Sequence, residues 1–122
     1  MHDPASPEIL DLAGPGKYAV RVAGASRYQA ALLALCGNER SRAAKPRKVT
    51  AQLWREPDNP HDPHAVRVAI DGETVGYLPR DLAPVFNELT TGRGEVFRVK
   101  AMIVGGWKNE RDEGTFGVRL DI

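Results

Sequence analysis

Residues 65–78, Ala-Val-Arg-Val-Ala-Ile-Asp-Gly-Glu-Thr-Val-Gly-Tyr-Leu, decide the fold. From Ala65 to Ile70 apolar side chains recur at a period of two, the mark of a strand with one face buried. Asp71-Gly72 follows at once, and this pair is the strongest short signal for a two-residue hairpin, because both central residues of such a turn need positive φ. Thr74 to Leu78 then returns as the partner strand. The two runs therefore read as one antiparallel hairpin.

Working outward, Lys48–Trp54 predicts another strand, with Val49, Ala51 and Leu53 on one side and Thr50, Gln52 and Trp54 on the other. Tyr18–Ala23 predicts a first strand ended by Gly24. Ser26 offers an N-cap to a helix from Arg27 to Leu35, with Gly37 as its stop. Downstream, Pro79 suits a first helical turn, and Leu82, Val85, Phe86 and Leu89 fall at the helical period as a buried stripe. Glu95–Val104 and Thr115–Ile122 predict two further strands around the glycine-rich loop 105–114. Tyr18 and Trp54 are expected to serve packing. The order β-α-β-β-β-α-β-β fits a mainly β fold, a small six-stranded OB-like or SH3-like barrel with two short α-helices. Residues 1–16, with Pro4, Pro7, Gly14 and Pro15, read as a flexible N-terminal arm, and residues 17–122 as the barrel domain.

Composition narrows the classes. A chain of 122 residues supports one hydrophobic core, and 42% hydrophobic with 27% charged residues is ordinary globular usage. No apolar run approaches the roughly 18 residues of a membrane span, and no signal peptide is visible at the N-terminus. Cys36 has no internal partner and reads as a small buried hydrophobe in a reducing cytoplasm. The net charge of +1 conceals segregation: residues 17–55 carry nine basic residues against one acid, whereas residues 56–122 carry eight against twelve. Such a basic third, including Lys45, Arg47 and Lys48, either faces a polyanion or is merely solvated. No G-x-x-x-x-G-K-[ST] loop is present, so the sequence offers no P-loop motor.

Between the second strand and the hairpin lies Arg55-Glu-Pro-Asp-Asn-Pro-His-Asp-Pro-His64, with Pro57, Pro60 and Pro63 at every third position. Asp and Asn side chains bond their own backbone in turns and proline fixes φ, so one reading of this loop is purely structural. A second is a preorganised binding loop. A third is a metal site from Asp58, His61, Asp62 and His64, although Pro63 between the histidines limits their convergence.

Two segments together resemble a known family. Val22-Ala-Gly24 with Arg27-Tyr-Gln-Ala-Ala-Leu32 is similar to the first half of a HIRAN domain. Arg55–Val66, Asp71-Gly72 and Val75-Gly-Tyr-Leu-Pro-Arg-Asp-Leu-Ala83 resemble its second half, through the long and unusual pair N-P-x-D-x-x-A and G-Y-L-P-R-x-L-A. The resemblance spans about residues 18–120 and implies a modified OB barrel that binds nucleic acid without catalysing a reaction, probing single-stranded DNA at its 3′-hydroxyl end. By position it implies Asn59 and Asp62 for the terminal hydroxyl and sugar, and His61 as a stacking ring. Ser26, Arg27 and Tyr28 stand at the first contact patch, while Tyr77 and Arg80 supply a ring and a phosphate-binding cation at the second. Trp107, by its place in a Gly-Gly-Trp-Lys loop, is the candidate for a further stacking ring. Ser26 and His64 depart from the family pattern. No cofactor or metal is implied. The partners implied are single-stranded DNA or DNA 3′ ends, with a helicase, nuclease or other repair protein making a modest affinity useful. The rivals are a protein-interaction module on the same fold and a metal-dependent hydrolase.

Overall fold

The computed structural model describes residues 9–36, 46–93, 96–105 and 115–122. Among these described residues, seven strands and two helices run in the order β1 (Ile9–Asp11), β2 (Val20–Arg21), α1 (Gln29–Leu35), β3 (Arg47–Arg55), β4 (Val66–Ile70), β5 (Glu73–Tyr77), α2 (Ala83–Thr90), β6 (Val96–Gly105) and β7 (Phe116–Leu120). A 3₁₀ turn at Ala25–Arg27 precedes α1. Six strands form one curled antiparallel sheet in the order β2-β7-β6-β3-β4-β5, and β1 adds to β6 in parallel. The expected mainly β, barrel-like class therefore holds. Among the described residues, no helix is long and apolar enough to cross a membrane.

The hairpin is as expected from Asp71-Gly72, whose φ angles are 50° and 81°. β3 is the spine. It pairs with β6 from Arg47↔Ile103 to Trp54↔Val96 and with β4 from Gln52↔Ala69 to Arg55↔Val66. Inward residues of the curled sheet make the core: Ala51 and Leu53, Val66 and Val68, Val75, Phe97, Val99, Ile103, Val118 and Leu120 are all buried. Burial of each large member contributes roughly 1.5–3 kcal/mol. Cys36 is buried in the same core, as its apolar surroundings predict.

The sheet closes through a seam one residue wide. Ala23 donates to the Tyr77 carbonyl at 2.7 Å and accepts from the Tyr77 N–H at 2.9 Å. Gly76, at φ 152°, makes the approach possible, because a Cβ there would overlap the Val22 side chain and the Ala23 carbonyl oxygen.

Four expectations are corrected. Residues 9–16 are not a free arm. β1 lies on β6, the Leu12 N–H reaches the Arg98 carbonyl at 2.8 Å, and the Gly16 N–H reaches the buried Asp121 carboxylate at 2.7 Å. Leu10 and Leu12 pack on the core, and the flanking prolines and glycines had hidden that short apolar alternation. Ser26 caps nothing: it is exposed inside the 3₁₀ turn, and α1 starts after Tyr28. Tyr18 precedes β2 rather than lying on it, with φ 47°. Finally, α2 buries Ala83, Phe86 and Thr90, while Val85 and Leu89 face out at 47% and 68% exposure. Phe86 meets Phe97 edge-on at 5.3 Å. Arg55 donates to the Thr90 carbonyl and hydroxyl at 2.9 and 3.1 Å, so a polar residue takes the inward place expected for Leu89.

Gly76→Ala is expected to cost roughly 2–4 kcal/mol through overpacking and backbone strain at the seam. Gly72→Ala, whose Cβ meets open space, is expected to cost about 1–2 kcal/mol from φ alone. Urea denaturation of both variants checks the ranking.

Candidate nucleic-acid interface

The loop from Glu56 to Ala65 is a closed unit. The Glu56 N–H donates to the Ala65 carbonyl at 2.8 Å, so the strands it joins continue to pair at its mouth. The three prolines have no N–H to satisfy, and those of Asn59, His61, Asp62, His64 and Ala65 are met within the loop. Asn59 Oδ1 accepts the N–H groups of His61 and Asp62 at 2.8 and 3.2 Å. Asp62 Oδ1 accepts the His64 N–H at 2.8 Å, and the Asp62 carbonyl accepts that of Ala65 at 3.1 Å. Asn87 of α2 donates to the His64 carbonyl at 2.8 Å and ties the loop to the body. His64 is thus held by its backbone while its side chain is 56% exposed, so its departure from the family pattern leaves the loop pinned.

Beside this loop is an open cleft of about 500 Å³. Three chain segments meet there: Arg27 and Tyr28 after the seam, Asn59, His61 and Asp62 from the loop, and Tyr77 and Arg80 after β5. The seam residue Ala23, with Gly24, Ala65 and Leu78, completes its lining. Seven of the nine residues singled out from sequence therefore line one concavity. Ser26 is not among them, and Trp107 lies outside the described residues. Asp58, His61, Asp62 and His64 do not assemble a metal-binding group: among the described residues no three His, Cys, Asp or Glu side chains converge.

The charge around the cleft is mixed. Arg27 and Arg80 are exposed at its edge, whereas Asp62 is half-buried within it, with Oδ1 committed to the His64 N–H. Arg47 and Lys48 sit at the far end of β3, roughly 26 Å along the strand from Arg55. Any contact they make is separate from the cleft, and Lys45 lies outside the described residues. Arg55 is committed to Thr90, with its guanidinium 5.7 Å from the Phe97 ring centre.

Residues that the sequence did not single out hold the cleft together. Trp54, Arg67 and Tyr77 are cross-strand neighbours on β3, β4 and β5, and the Arg67 guanidinium lies 5.5 Å from the Trp54 ring centre. On its other side Arg67 Nε is 3.4 Å from Glu56 Oε2. The Glu56 carboxylate also accepts from Asn59 Nδ2 at 3.2 Å, and its charge reaches the Tyr77 phenol. Burial first, then the neighbouring Glu56 carboxylate, push the Tyr77 phenol up to about 12. Gln29 secures the other wall: its amide both donates to and accepts from the Phe116 backbone, at 2.9 and 2.7 Å, in place of a neighbouring strand. Only the position of Glu56 at a strand end before proline, and of Arg67 opposite two aromatics, could have signalled these roles.

The model of the HIRAN domain family matches residues 15–120. This chain belongs to the HIRAN domain family. The HIRAN profile begins after β1, so the parallel strand on β6 lies outside the matched region. Two solved structures are similar to the chain. A protein from Lactobacillus plantarum is 19% identical, with a TM-score of 0.44, covering 84% of this chain and 91% of its own. The HIRAN domain of human HLTF is 18% identical, with a TM-score of 0.38, covering 83% of this chain and 70% of its own. A search of proteins with curated descriptions found no match.

The raised Tyr77 value has a signed consequence. A phenol that stays protonated longer in the folded state stabilises the fold below the ordinary value near 10, and that contribution is lost as pH rises toward 12. Tyr77→Phe is expected to flatten this part of the alkaline stability limb relative to wild type, as measured by urea midpoints between pH 9 and pH 12.

Proposed function

We propose that this HIRAN domain is a non-catalytic module that binds single-stranded DNA at 3′-hydroxyl ends, with the cleft as the receptor. The observation that carries the reading is the convergence of three distant segments on one concavity whose polar groups differ in kind. Asp62 supplies a carboxylate whose Oδ2 has no hydrogen bond to another described residue. An ionised carboxylate accepts a hydroxyl proton well and repels a terminal phosphate, so it selects one chemical end over the other. His61, Tyr28 and Tyr77 supply rings for bases or sugar, and Arg27 and Arg80 supply cations for the first phosphates.

The loop favours this role because it is already folded. Its prolines and internal hydrogen bonds have met the ordering cost before a ligand arrives. The cleft volume falls in the range of small-ligand sites, about 300–1,000 Å³, so only the end of a strand is gripped and the intrinsic affinity is modest. Linkage to a helicase, nuclease or other repair protein would raise the effective concentration of ends at the cleft. The buried free Cys36 suits a reducing cytoplasm.

Fluorescence anisotropy of short strands differing only in a 3′-hydroxyl or a 3′-phosphate tests the reading. Wild type is expected to prefer the hydroxyl. Asp62→Asn, which keeps an oxygen for the His64 N–H, is expected to lose about 10- to 100-fold of that preference, the size of one charge-assisted hydrogen bond. Equal binding to both strands would end the end-capture reading.

Salt dependence tests the cations separately. Arg27→Ala and Arg80→Ala should each flatten the log–log salt slope by about 0.7 if each neutralises one phosphate. A slope unchanged in both variants would place the backbone contacts elsewhere.

A further inference from the structure

We infer that Glu56 is a positioning residue of the cleft, its carboxylate joining Asn59 of the proline loop to Arg67 on β4. The inference rests on the strand-end reading above and deepens it, because Glu56 is not among the residues lining the cleft. The two groups paired with Glu56 are both donors: the Asn59 amide at 3.2 Å and the Arg67 Nε–H at 3.4 Å. An ionised carboxylate is the one side chain of this size that only accepts, with room for several donors on two oxygens. Glutamine has the same shape but would set an NH₂ group between two donors.

The consequence passes through Asn59. With Nδ2 held by Glu56, the opposite atom, Oδ1, points at the N–H groups of His61 and Asp62 and fixes the turn that presents both residues to the cleft. Without that hold, the Asn59 amide is free to rotate and the turn loses its acceptor. Arg67, the second partner of Glu56, is the cross-strand neighbour of the seam residue Tyr77, so the carboxylate ties the loop to the strand beside the seam. Arg67, stacked on Trp54, balances its charge.

The sign of one substitution separates this role from that of an ordinary surface acid. Removing a negative charge near a polyanion strengthens binding when charge alone matters. Positioning demands the reverse. Glu56→Gln in the full chain is expected to bind a 3′-hydroxyl strand about tenfold more weakly, as for one mispaired hydrogen bond. Glu73→Gln, an exposed charge-matched control on β5, should bind as tightly as wild type or slightly more so. In ¹H–¹⁵N spectra of the free protein, the Asn59 side-chain amide signals should shift in Glu56→Gln and exchange faster with water. Tyr77→Phe, which keeps the carboxylate and the ring, should shift the same signals through Glu56 and serves if Glu56→Gln does not fold. Glu56→Gln binding at or above wild-type affinity, or Asn59 signals unmoved in a folded variant, would overturn the inference. If wild type binds no strand at all, the strand-end reading fails, and the Asn59 signals alone decide whether Glu56 sets the loop.

Discussion

Two hydrogen bonds between Ala23 and Tyr77 hold together the ends of the curled sheet, and most of what surrounds the cleft follows from them. They bring the 3₁₀ turn with Arg27 and Tyr28 against the end of β5, from which Tyr77 and Arg80 emerge. β4, paired with β5 on one side and β3 on the other, delivers the proline loop to the same place. The constraint that permits this is steric. Gly76 is the one β5 residue whose missing Cβ lets two backbones meet, so a glycine with no side chain to offer a ligand permits the close approach beside the cleft.

The proline loop shows why structural and binding roles need not compete. Each internal hydrogen bond made by Asn59 and Asp62 stiffens the turn and leaves fewer conformations to lose on docking. The cost is that a side chain doing both has only part of its bonding capacity left. Asp62 resolves this by having two oxygens: Oδ1 caps the His64 N–H, and the charge remains on the group as a whole. Asn59 has less to spare, since Oδ1 serves two backbone donors and Nδ2 serves Glu56. Asn59 therefore acts chiefly by shaping the loop, whereas Asp62 has the capacity to meet a ligand directly.

Local features were legible in the sequence and tertiary ones were not. The Asp71-Gly72 turn, the alternation on β3 and the loop motif each depend on neighbours in sequence, and each is where the pattern put it. The family motif brought Tyr28, Asp62 and Tyr77 together because it encodes contacts that periodicity cannot. Ser26 misled because cap preference is statistical, while Gly24 at φ 75° had already started the turn. The stripe on α2 misled because Arg55, from another strand, made Thr90 buriable and left Leu89 outside. Glu56 left only a faint signal for a related reason: its partners Asn59 and Arg67 come from the loop and from β4, and their meeting exists only once the strands pair.

Charge placement carries the same lesson to function. Segregation of basic residues in the first half of the chain invites the picture of one positive face, but the fold disperses them. Arg55 is turned to the end of α2, Arg47 and Lys48 lie at the opposite end of β3, and among the described residues of that group Arg27 alone lines the cleft. Arg80, from the acidic second half, is the other cation there. Among the described residues the cleft is therefore lined by two cations and one carboxylate rather than by a continuous basic track. On the strand-end reading proposed above, the cations would hold a chain near its first phosphates, and the carboxylate would admit a hydroxyl where it would repel further negative charge. Selectivity at such a site comes from the mixture of signs at close range rather than from net charge, which at +1 says nothing about the ligand.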